Sequence, residues 1–141
     1  MKKLISLSVI LLLVVSFSTV NSYAVDKKKQ VAVSTSAKVE VYYFHFTRRC
    51  VTCQAVETET KKAIAALYPV QTKNGLITFK AVNLDDKGSN VLASKCKAEG
   101  QALLVISGHK RIDLTEKGFM YAKSSPEKLK AELKKVIDPL L

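Results

Sequence analysis

KVEVYYFHFTRRCVTC, residues 38–53, is the stretch that decides the fold of this 141-residue chain. Lys38 to Phe46 is dense in β-branched and aromatic side chains, which predicts a strand. Its second half is apolar on both faces apart from His45, the pattern of a central strand covered on both sides. Thr47-Arg48-Arg49 breaks that pattern. From Cys50 to about Leu67 the spacing predicts a helix, with Val56, Thr60, Ala63 and Leu67 on one stripe and Ile64 beside it.

Downstream, Pro69 and Asn74-Gly75 punctuate the exit from that helix. Leu76 to Leu84 (LITFKAVNL) predicts a second strand, ending in Asp85-Asp86. Ser89 is a candidate cap for a helix reaching about Ala98, with Leu92 and Cys96 four apart on one face. Ala102 to Ser107 (ALLVIS) predicts a third strand, Gly108-His109 a two-residue hairpin turn, and Arg111 to Leu114 a short fourth strand. Gly118 to Lys123 fits no single pattern. The last helix opens at Ser124-Ser125-Pro126-Glu127. Either Ser124 caps it with Glu127 completing a capping box, or Ser125 caps it with Pro126 at the first helical position. Its apolar stripe is Leu129, Leu133, Val136, Ile137 and Leu140.

The order is thus β-α-β-α-β-β-α. A helical crossover joins the first two strands, so they should be parallel. The last two strands form an antiparallel hairpin. The expected architecture is α/β, a mixed four-stranded sheet with helices on both faces.

Upstream, Met1-Lys2-Lys3 is a cationic start, Leu4 to Phe17 is nearly unbroken apolar sequence, and Ser22-Tyr23-Ala24 offers small residues for cleavage after Ala24. This is the three-part pattern of a secretory signal peptide over residues 1–24. The apolar run of about 14 residues falls short of the roughly 20 needed to span a bilayer. Export is therefore expected, to the periplasm or beyond the cell, where disulfides persist. The membrane is met only through the signal peptide during export. Residues 25–37, with Lys27-Lys28-Lys29, look like a flexible leader, and 38–141 form the folded domain.

Composition agrees with one domain. Apolar residues make up 48%, enough for a packed core. The 23 Lys+Arg against 12 Asp+Glu leave a formal charge of +11, but only three of the 23 are Arg and the Lys are scattered. A nucleic-acid partner is not expected from that pattern; a solvated, solubilising surface is.

The chemistry sits at Cys50-Val51-Thr52-Cys53. A Cys at a helix N-terminus meets unpaired N–H groups and the positive end of the dipole, which stabilise a thiolate. A second Cys one turn inside can close a small ring with the first and resolve a mixed disulfide. Two of the three Arg in the chain, Arg48 and Arg49, directly precede Cys50, where they can favour the thiolate or dock an anionic partner. Zinc uses the same CxxC spacing but would need two more ligands, and Cys96, His45 and His109 are the only Cys or His candidates. A metal- or metalloid-binding module using Cys50 and Cys53 therefore stays open as the alternative. Cys96 reads as a buried structural thiol, or more sharply as a third thiol for an ion such as trivalent arsenic. No Gly-rich phosphate loop and no flavin or nicotinamide motif occurs, so no organic cofactor is expected.

From Lys38 to about Leu141 the chain resembles the thioredoxin-like superfamily, through KVEVYYFHF, the Cys-x-x-Cys opening a helix, and TFKAVNLDD as the next strand. More narrowly, YYFHFTRRCVTCQAVE resembles an exported thioredoxin-like family described as the ArsF-type subunit of a nitrophenyl-compound (aromatic arsenical) nitroreductase. The resemblance implies a three-layer α/β/α sandwich and a thiol–disulfide oxidoreductase or electron-transfer subunit. It implies partners that are protein disulfides or dithiols, or the other subunits of a reductase. Cys50 and Cys53 would be the catalytic pair. The chain departs from the thioredoxin pattern in three places. Arg49-Cys50-Val51-Thr52-Cys53 lacks the Trp and Pro of Trp-Cys-Gly-Pro-Cys. An apolar residue near Phe44 stands where thioredoxins bury an Asp, leaving His45 as the nearest titratable group. Glu99-Gly100-Gln101-Ala102 replaces the segment with the cis-Pro, so a trans bond with Gln101 facing the thiols is expected.

Overall fold

The computed structural model describes residues 39–141. The signal peptide read over 1–24, the leader over 25–37 and Lys38 lie outside the described residues.

The central strand β1 runs from Val39 to His45. After the TRR turn comes helix α1, Val51–Leu67, with Cys50 as its N-cap. Tyr68 ends α1, and a short helix α2, Pro69–Lys73, follows with Pro69 in its first turn. Strand β2 is Ile77–Asn83, helix α3 Ser89–Lys95, strand β3 Ala102–Ser107 and strand β4 Lys110–Asp113. Helix α4, Thr115–Tyr121, and helix α5, Pro126–Ile137, complete the fold with a 3₁₀ turn at Asp138–Leu140.

The sheet order is β2-β1-β3-β4. β1 and β2 are parallel, with Val41 opposite Phe79. β3 is antiparallel to both β1 and β4, with Tyr43 opposite Leu103 and Val105 opposite Ile112. Alternation along β1 sends side chains to two cores. Val39, Val41 and Tyr43 join Val56, Ile64, Leu103, Leu129, Leu133 and Ile137 on the side of α1, α4 and α5. Tyr42 and Phe44 join Ala93, Cys96, Ala102 and Leu104 on the side of α3. The result is an α/β three-layer sandwich with a mixed four-stranded sheet, compatible with a thioredoxin-like fold.

Several local expectations need correction. Ser89 does not cap α3. Gly88 is the N-cap, at φ +88°, and the Ser89 hydroxyl donates instead to the Leu84 carbonyl at 3.1 Å. α3 also stops at Lys95 rather than near Ala98, because Lys97 turns left-handed at φ 54° and the chain leaves the axis. Arg111 secures that exit: its guanidinium donates to the carbonyls of Cys96 (2.8 Å) and Lys97 (3.2 Å). β4 begins and ends one residue earlier than the sequence suggests, since Leu114 turns into the core. At the last helix the second of the two expected arrangements holds: Ser125 takes the cap position ahead of Pro126, and the Ser124 hydroxyl donates back to the Met120 carbonyl.

The unreadable stretch around Gly118 is α4. Asp113 starts it by accepting from the Thr115 amide at 2.9 Å and the Thr115 hydroxyl at 2.5 Å. Gly118 weakens helix propensity yet is needed for packing. A Cβ there would lie 3.1 Å from Leu103 Cδ2 and 3.3 Å from Val56 Cγ1. The missing side chain lets α4 press against β3 and α1.

Candidate functional site

Three segments converge on the Cys pair: the loop after β1, the first turn of α1 and the bend before β3. Cys50 and Cys53 form a disulfide, with Cα atoms 5.1 Å apart. Cys50 is exposed and Cys53 is buried. The Cys53 amide donates to Cys50 Sγ at 3.2 Å, so the sulfur occupies the acceptor position that a Ser or Asp oxygen fills at other helix starts. In the dithiol that N–H, with the helix dipole, stabilises negative charge on Cys50.

Gln101 sits just before β3, with its side-chain oxygen 3.5 Å from Cys53 Sγ. When Cys53 is a thiol it can donate to that oxygen. The described residues contain no cis peptide bond.

The other candidates separate. Arg49 pairs with Glu57, one helical turn beyond Cys53, and both side chains are about one-quarter exposed. Arg48 is exposed and makes no hydrogen bond or ion pair among the described residues. His45 is buried at the end of β1, with Nδ1 3.0 Å from the Phe46 carbonyl oxygen and its ring beside that of Tyr43. No hydrogen bond joins His45 to either sulfur among the described residues.

Sequence reasoning missed Glu57 and a set of residues at the end of β2. The Thr47 amide donates to Asp85 Oδ2 at 2.8 Å, and the Asn83 side-chain amide donates to the Thr47 hydroxyl at 3.0 Å. These bonds tie the loop that carries Arg48 and Arg49 to the neighbouring parallel strand. The only advance signal was the parallel pairing itself, which sets His45 opposite Asn83. The Thr47 amide and hydroxyl hold the Asp85 carboxyl below the usual carboxylate range, with a smaller contribution from His45. A carboxyl with a depressed folded-state pKa contributes stability above its unfolded value, about 3.9. That contribution is lost as pH falls through the folded value. Below about pH 4 the wild type should therefore lose melting temperature more steeply than Asp85→Asn. Parallel curves in a pH series would mean that Asp85 does not stabilise the loop.

Tyr43 faces this region from beneath. Its ring is fully buried, its hydroxyl has no partner among the described residues, and burial pushes the phenol up to about 12. On the opposite face of β1, the Tyr42 hydroxyl donates to Glu40 at 2.8 Å. An unpaired buried hydroxyl costs free energy. Tyr43→Phe should accordingly raise unfolding stability by about 1 kcal/mol, read by denaturant titration. A loss of stability would show that the hydroxyl has a partner.

Cys96 lies in the core of the α3 side, where burial raises its thiol pKa. It therefore belongs to the other layer from α1. Among the described residues no three His, Cys, Asp or Glu cluster as a metal site. The metal-binding alternative is left with two sulfur donors among them. No described helix is long and apolar enough to cross a membrane.

No protein-family model matches the chain, and no curated protein matches it. One solved structure, described as "Structure of a malarial protein", is similar at 22% identity and a TM-score of 0.45, over 70% of this chain and 96% of that one.

Proposed function

We propose that the chain is an exported thiol–disulfide oxidoreductase or electron-transfer subunit that works through Cys50 and Cys53. The observation that carries this reading is an exposed sulfur capping α1, joined to a buried sulfur one turn inside. In the reducing direction the Cys50 thiolate attacks a partner disulfide. A Cys50–partner S–S bond forms, the partner's own S–S bond breaks, and the released sulfur takes a proton. Cys53 then gives its proton to solvent and attacks Cys50. The Cys50–Cys53 bond forms and the second partner sulfur leaves. The partner takes up two electrons and two protons, which the Cys pair gives up.

The exposure of Cys50 beside a buried Cys53 supports giving the attack to Cys50. On the reduced protein at neutral pH, an alkylating agent should label Cys50 well before Cys53, as peptide mapping would show. Faster labelling of Cys53 would reverse the roles.

The finer reading is that the chain is the thioredoxin-like subunit of a nitroaromatic (arsenical) reductase system. Its support is the likeness of YYFHFTRRCVTCQAVE to that family. A partner subunit would supply the reductive chemistry. Export is supported by the signal pattern over residues 1–24. Both can be tested by isolating the protein from its host. An extracytoplasmic chain beginning at Val25, disulfide-linked in its Cys53→Ser form to a cofactor-bearing reductase, is the expected result. A cytoplasmic chain beginning at Met1 would contradict export, and linkage only to unrelated disulfide proteins would contradict the subunit role.

A further inference from the structure

Arg49 and Glu57 stand on either side of the Cys pair in the chain, and an ion pair joins them. Arg49 immediately precedes the N-cap Cys50. Glu57 is four residues past Cys53, on the same face of α1. The bridge is partly shielded from solvent, with 26% and 30% of the two side chains exposed. Tyr43 feels both charges from the sheet side. The cation next to Cys50 in the chain is thus held by a carboxylate. Of the two arginines only Arg48 is left unpaired among the described residues, and it is exposed.

We propose that Glu57 is a positioning residue that restrains the reactivity of Cys50: by engaging Arg49 it limits thiolate stabilisation and keeps the Cys pair reducing. The proposal rests on the reading of Cys50–Cys53 as a reversible couple with a partner dithiol. Its chemistry is thiol–disulfide exchange, in which two electrons and two protons pass between the pair and the partner. Stabilising a thiolate stabilises the reduced form, and a stabilised reduced form makes a stronger oxidant.

The signs follow from charge. Glu57→Gln removes a negative charge near Cys53 and unties Arg49, and both changes favour the Cys50 thiolate. Arg49→Gln removes the cation and leaves the Glu57 carboxylate unpaired, and both changes disfavour it. Two variants that break one ion pair should therefore move the couple in opposite directions. A clasp with only a structural role would move them together.

The test is the thiol–disulfide equilibrium of the purified full chain against dithiothreitol and glutathione, read by mass-tagging, with the pH midpoint of Cys50 alkylation alongside. Glu57→Gln should shift the equilibrium about threefold to tenfold toward the dithiol, and Arg49→Gln by a similar factor toward the disulfide. A tenfold change corresponds to about 30 mV. Glu57→Asp, which keeps the charge, and the double variant should both stay within about twofold of the wild type. If Arg49→Gln does not fold, the contrast between Glu57→Gln and Glu57→Asp decides. Shifts of the same sign, or none beyond twofold in folded variants of a wild type that does cycle, overturn the proposal alone. Absence of a reversible couple in the wild type overturns the redox reading and this proposal with it.

Discussion

Cys50→Ser should reduce disulfide exchange with a protein disulfide to the uncatalysed background, the largest functional effect expected from any substitution in this chain. The serine hydroxyl keeps the helix cap, because its oxygen can accept from the Cys53 amide as the sulfur does. It cannot serve as the attacking thiolate. Cys53→Ser should behave differently. Cys50 still attacks, but no second thiol resolves the product, so a mixed disulfide with the partner accumulates. Non-reducing electrophoresis separates the two outcomes. Cys96→Ala should leave exchange at the wild-type rate, since Cys96 sits in the core of the opposite layer. Retained turnover in Cys50→Ser would remove this residue from the mechanism.

The largest loss of stability is expected from Leu103→Ala, at about 2–5 kcal/mol. Leu103 is fully buried in β3, pairs with Tyr43 of the central strand, and fills the space that a Cβ at Gly118 of α4 would need. Truncation leaves a cavity where strand and helix meet, and the packed neighbours of that core limit its collapse. For a domain of about 100 residues, each kcal/mol corresponds to roughly 4–8 °C in Tm. The same geometry predicts a partial rescue. The contact that crowds a Cβ at Gly118 is Leu103 Cδ2 at 3.1 Å, and Leu103→Ala removes that atom. Gly118→Ala should therefore recover part of the loss in the Leu103→Ala background, helped by about 1 kcal/mol of helix propensity. Calorimetry of the single and double variants checks both statements. A Leu103→Ala loss below about 1 kcal/mol would mean that this core rearranges freely.

The elements legible in the sequence were those whose local pattern and tertiary role agree. Ala102–Ile106 is uniformly apolar, and its first four residues are buried on both faces of β3; Val41–Phe44 reads the same way at the centre of the sheet. The parallel pairing of the first two strands followed from the helical crossover between them. α4 was illegible because Gly118 answers to Leu103, whose Cδ2 would lie only 3.1 Å from a Cβ at that position, and no local pattern encodes this. Ser89 misled for a related reason. Its hydroxyl reaches the Leu84 carbonyl, and the cap position falls to a glycine with positive φ. In the site, Cys50, Cys53, Arg48 and Arg49 announce themselves as neighbours in the chain. Asp85 and Asn83 reach the same loop from the end of β2, 38 and 36 residues from Thr47, so only the strand register brings them there. Glu57 was visible as a helical residue, but its pairing with Arg49 depends on how the TRR turn folds back along α1.

The reduction potential of Cys50–Cys53 tests directly whether this pair carries redox chemistry. It would be measured on the purified protein across a glutathione and dithiothreitol series, counting free thiols by mass-tagging. The prediction is one reversible two-electron couple near or below about −230 mV, in the range of proteins that deliver electrons to a partner. A couple near about −120 mV would reverse the direction of flow and make disulfide introduction the better role. Two thiols that never interconvert with the disulfide under any poise would mean that this pair does not carry redox chemistry.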